Sequence, residues 1–101
     1  NFKKQSSVEV SESVPLNLRY VFEVFEQMKT EKFSFEKACV RVGATNGHVN
    51  PTIIKESCTD LLGISKDQFI SLLDNQEDLL ELIISNFPDH RKLIMEKIGK
   101  T

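Results

Sequence analysis

The feature that most constrains this chain is a three-part unit that recurs along its middle. An apolar residue is followed by a polar cap, and a second apolar residue stands five positions after the first. The unit occurs as Phe33-Ser34 with Ala38, Val49-Asn50 with Ile54, and Ile64-Ser65 with Phe69. The first N–H groups of a helix lack partners within it, and a Ser or Asn side chain at the N-cap accepts from one of them. The apolar residue before the cap packs on the one inside the first turn and fixes the angle at which the chain enters the helix. Three such entries between Phe33 and Phe69 specify short consecutive helices.

The rest of the pattern agrees with them. Leu18, Val21, Phe22, Phe25 and Met28 recur at helical spacing, predicting a helix from near Ser13 to near Thr30 with Pro15 in its first turn. A second helix follows the Ser34 cap, with Phe35, Ala38, Cys39 and Val42 inward; Gly43 weakens it and Asn46-Gly47 ends it. A third spans 51–62, with Pro51 at its first position, Ile54, Cys58, Leu61 and Leu62 inward, and Gly63 as its stop. The fourth opens on a capping box, Ser65 to Gln68, and carries Phe69, Ile70, Leu72 and Leu73. A fifth, from about Gln76 to Ser85, is apolar almost all round, which requires burial or an interface. After Asn86-Phe87-Pro88, Asp89 is placed to cap a last helix with Leu93, Ile94 and Ile98 inside. The expected fold is all-α: a compact bundle of five or six helices with a tri-helical core. Residues 1–13 read as a polar arm, with Val8 and Val10 able to form a strand only beside a partner strand, and residues 14–101 as a single domain. Because the chain starts at Asn1 and not Met, it reads as a domain excised from a larger protein.

Composition bounds the function classes. The 40% apolar and 28% charged content is that of a globular domain. A net charge of −2 argues against autonomous tight binding of nucleic acid, where neutralised phosphates supply most of the affinity. The charge is uneven, however. Residues 15–63 carry six basic and six acidic side chains, 64–86 one and five, and 87–101 four and two, so the middle and the tail remain open to an anion. Cys39 and Cys58 both fall on inward positions and behave as small apolar residues, consistent with a cytoplasmic setting. No apolar run reaches the length of a membrane span.

The segment Val49-Asn50-Pro51-Thr52-Ile53-Ile54-Lys55 resembles the entry to the recognition helix of helix-turn-helix and winged-helix proteins. About thirty residues, 33–63, share the likeness, with Ala38 inside the preceding helix and Gly47 in the turn. The resemblance implies a DNA-binding accessory or targeting domain of a larger DNA-processing or regulatory protein, with helix 51–62 in the major groove. On that reading Asn50, Thr52, Ile53, Lys55, Glu56 and Thr59 face DNA, with Thr52, Lys55 and Thr59 the main contacts and Arg91 and Lys92 a second phosphate-contacting edge. Lys3 and Lys4 would follow a backbone or minor groove, and His90, Lys97 and Lys100 extend the basic tail, which is otherwise an ordinary solvated helix face. The chain departs from the superfamily pattern at Ile53, where Thr is common, and at Glu56 and Asp60, where a binder usually places Arg, Lys or Gln. The alternative is a helical protein–protein or dimerisation module using Leu79, Leu82 and Ile83; a third reading is a structural connector within a larger enzyme.

Catalysis is not expected of this fragment, nor any cofactor or metal. Cys39, His48, Cys58 and His90 lack the close ligand pairs of a structural zinc site, and nothing orients an imidazole towards a thiol. His48 reads as a turn residue. The acidic run Asp74, Glu77, Asp78 and Glu81 reads as a solvated face that opposes a helix dipole. Gly43 and Gly47 make no phosphate loop, since no GxxxxGK pattern exists.

Overall fold

In the computed structural model, which describes residues 14–99, the chain is all-α, and no strand occurs among the described residues. The helices are α1 (Leu16–Thr30), α2 (Phe35–Thr45), α3 (Pro51–Cys58), α4 (Lys66–Leu72), α5 (Gln76–Asn86) and α6 (Arg91–Ile94). A 3-10 turn, Asp60–Leu62, follows α3; another, Pro88–His90, precedes α6, which continues as a π turn over Met95–Gly99. The expectations for residues 1–13, including Val8, Val10, Lys3 and Lys4, and for Lys100 lie outside the described residues.

Each helix entry that the repeated unit marks forms as its chemistry requires. Ser34 Oγ accepts from the Lys37 N–H and Asn50 Oδ1 from the Thr52 N–H at 2.8 Å. The capping box closes both ways: Ser65 Oγ accepts from Gln68 N–H, and Gln68 Oε1 accepts from Ser65 N–H at 2.8 Å. Ala38, Ile54 and Phe69, the inner members of the three units, are buried, with Phe33, Val49 and Ile64 packed partly over the core.

α1 is the hub. It packs on α2 and α3, which pack on one another, and it also meets the C-terminal π turn. The spacing marks one apolar face, but Tyr20 and Val24 are buried as well as Leu18, Val21, Phe22 and Phe25, because neighbours cover α1 on several sides. α5 packs on α4, on the turn after α3 and on the C-terminal segment, where Gln76 donates to the Ile98 carbonyl at 3.0 Å. Phe35 and Phe69 join the two halves, their ring centroids 5.6 Å apart and tilted.

Three boundaries differ from expectation, the first being that of α1, which begins at Leu16 with Pro15 at its N-cap in extended geometry and not within the first turn. The α geometry of α3 stops at Cys58 rather than 62: Thr59 takes φ −118° and ψ −75°, and the chain tightens into the 3-10 turn that Gly63 closes at φ 73°. That rotation leaves Leu62 inside and turns Leu61 out. Ile70 likewise faces outward. Asp89 sits within a 3-10 turn, and α6 has no side-chain cap, since the backbone enters it already turning.

Candidate functional site

The local geometry first decides how α3 is presented. Arg19 donates to Asn46 Oδ1 at 2.9 Å, and Asn46 Nδ2 donates to Glu23 Oε1 and to the Val42 carbonyl, each at 2.7 Å. This network ties the end of α2 to α1. The turn then passes through left-handed backbone at Gly47 (φ 87°) and His48 (φ 63°). It folds back so closely that the Val49 N–H donates to the Gly43 carbonyl at 2.8 Å, and a Cβ on residue 43 would overlap the Val49 carbonyl. On its other side α3 is pinned to α1, where the buried Ser57 hydroxyl donates to Asn17 Oδ1 at 3.0 Å. α3 is therefore held at its start by a turn that folds back onto α2 and near its end by a contact from forty positions away.

The exposed surface of α3 divides into a ridge and two flanks. Thr52 and Glu56 stand on the ridge and are exposed. Pro51, Thr52 and Lys55 border a groove of about 220 Å³ shared with Phe35, Glu36 and Val40 of α2. Ile53, Glu56 and Ser57, with Asp60 and Leu61, border a groove of about 350 Å³ shared with Asn17 of α1. Ile53 is 49% exposed and Leu61 40%, both large values for side chains of this size. Leu16, the residue before Asn17, is also exposed.

Comparison with protein-family models, curated proteins and solved structures finds no match for this chain. The site therefore rests on its own residues.

Of those singled out from sequence, Asn50, Thr52, Ile53, Lys55 and Glu56 are exposed together on or beside the first turns of α3. Thr59 is not among them. It is 4% exposed, its hydroxyl donating to the Lys55 carbonyl at 3.0 Å with Asp60 Oδ1 at 3.5 Å. The expectation of an outward Thr59 assumed unbroken α geometry, and the turn at residue 59 rotates the side chain inward. Arg91 and Lys92 are exposed but belong to α6, which packs on α5, while α3 packs on α1 and α2.

The expected interface on α5 also changes. Leu79 and Ile83 have no exposed surface, and Leu82 is half-buried. The apolar girth of this helix is taken up within the chain by α4, α6 and the turns that flank them, so Leu79 and Ile83 are closed to a partner.

Charge in and around the site follows local pairing. Lys66 Nζ lies 2.6 Å from Glu36 Oε2; this contact holds the Glu36 carboxyl below its ordinary range and the Lys66 ammonium above its own. Burial pushes the Cys39 thiol up to about 11, with Glu36 adding to the rise, and raises Cys58 well above the usual thiol value. Both shifts disfavour the thiolate at neutral pH. Asp74, Glu77, Asp78 and Glu81 are all exposed, and no cluster of three or more metal-ligating side chains occurs among the described residues. A larger cleft of about 580 Å³ between α1 and the π turn carries Arg19, Lys29 and Lys97 against Glu23, Glu26 and Glu96, a balanced lining with no preference for either sign of charge. No helix among the described residues is long and apolar enough to cross a membrane.

Sequence reasoning missed Asn17, Ser57 and Leu61 as parts of the α3 surface. Asn17 and Ser57 meet across forty positions, a contact no local pattern encodes, and Leu61 turns outward only because α3 ends early.

Proposed function

We propose that this chain is a helical protein-docking module that presents α3 and its α1 flank to another protein. One observation carries the reading. Ile53 and Leu61 are both exposed along one groove, bordered by the carboxylates of Glu56 and Asp60 and by no cation among the described residues. Apolar side chains left at the surface beside a shared groove suit a protein interface. Two carboxylates on that flank oppose the approach of a phosphate backbone. The inward Thr59 also removes one of the three main DNA contacts that the helix-turn-helix resemblance implies.

Exposed Thr52 and Lys55 at the start of α3 favour the second reading, a DNA-facing helix. A photo-crosslinking side chain at position 53, with one at exposed Ile70 as control, separates the two. The docking reading expects a discrete protein adduct from position 53 that Leu61→Asp removes and position 70 does not give. It also expects a mixed-sequence DNA duplex at low salt to leave the amide signals of residues 50–61 in place. If the duplex moves Thr52 and Lys55 with an affinity that falls steeply as salt rises, the nucleic-acid reading replaces this one.

A further inference from the structure

Resting on the docking reading above, we infer the chemistry of the occupant: the α1–α3 groove receives a basic amphipathic segment, one carrying aliphatic anchors flanked by Lys or Arg. The groove has two apolar contacts, Ile53 and Leu61, a polar floor where Ser57 bonds Asn17, and two carboxylates, Glu56 and Asp60. Neither carboxylate has an ion-pair partner among the described residues, and the Asp60 carboxylate meets the Thr59 hydroxyl only at 3.5 Å. The basic residue of α3, Lys55, lies on the opposite flank, in the groove shared with α2. Negative charge on the α1 side is therefore uncompensated within the described fold. Glu56 and Asp60 border the same groove from either side of the break at Thr59. An aliphatic residue seated between Ile53 and Leu61 would carry neighbouring cations to both carboxylates. An acidic or purely apolar segment would fill the groove but leave them unmatched.

The test uses the full chain and two synthetic helical peptides, one of leucine and lysine, the other of leucine and glutamate. The leucine–lysine peptide should shift the amides of Asn17 and residues 53–61 and bind about tenfold more tightly than its acidic counterpart, an advantage that shrinks as salt rises. The double variant Glu56→Gln, Asp60→Asn should abolish the preference, and Glu56→Lys with Asp60→Lys should reverse it, each with an unchanged helical spectrum. Ile53→Asp should weaken both peptides.

Two peptides that bind residues 53–61 equally well would overturn the charge inference and leave the docking reading standing. Shifts confined to another face, or no shift at all, overturn the inference outright, with the crosslink at position 53 judging the docking reading separately. Concentration-dependent self-association lost in the charge-reversed variant would put a second copy in the groove and defeat the proposal. Duplex DNA moving α3 when neither peptide does would defeat both readings.

Discussion

Gly43 sits inside α2, where a glycine ordinarily costs stability and Ala would be preferred by roughly 0.5–1 kcal/mol. Here the sign reverses. The Val49 carbonyl occupies the space a side chain would need, and the Val49 N–H closes a hydrogen bond to the Gly43 carbonyl. The Gly43→Ala variant should lose about 2–3 kcal/mol, in the range of overpacked cores, with the amides of residues 46–50 displaced. Urea unfolding of the variant reads the first, and an amide correlation spectrum the second; a stabilised variant would contradict the close approach. The sequence shows a helix-weakening glycine at 43, but not the reason it is needed, because the carbonyl it accommodates arrives from a turn whose path is set elsewhere.

Among the elements, the entries of α2, α3 and α4 were legible residue by residue, since an N-cap bond spans only two or three positions. The ends were less so. α3 stops at Cys58 because Thr59 leaves helical geometry, and no Gly or Pro marks that position. The candidate site inherits the difference: Thr59 is withdrawn and Leu61 delivered. Among the described residues, the ion pair that joins two helices is that of Glu36, in the first turn of α2, with Lys66, at the start of α4. Its pH dependence has a definite sign. Glu36 is depressed in the folded chain, so its contribution is present above the ordinary carboxylate value and lost as pH falls through the lowered one. Lys66 is raised, so its contribution is present below the ordinary ammonium value and lost as pH rises through the higher one. Glu36→Gln should therefore lower Tm slightly at neutral pH, and the gap to the parent should close in acid and in high salt, as expected of an exposed pair. Thermal melts at several pH values check this; a gap that persists in acid would assign the effect to packing or capping.

At the scale of the molecule, α1 supplies six buried side chains and α2 and α3 close around it, with α4–α6 completing the core. Phe69 is the joint between the halves, fully buried and stacked obliquely on Phe35. Phe69→Ala should cost about 3–5 kcal/mol, a large share of what a domain of this size holds. Denaturant unfolding followed by far-UV circular dichroism should show a single transition moved to lower midpoint. A loss below about 1 kcal/mol would mean that α4 is only loosely attached.

Local pattern in the sequence specified the all-α class, the caps of α2, α3 and α4, and most of the inward residues, because capping bonds and helical periodicity act over fewer than five positions. Tertiary structure alone decided which of the remaining apolar residues stay outside. Leu79 and Ile83 vanished beneath neighbours, whereas Leu61 and Ile70 did not. Periodicity states that a residue is apolar and on a given face; whether that face meets another helix or water depends on contacts between distant segments, such as Asn17 with Ser57 or Phe35 with Phe69.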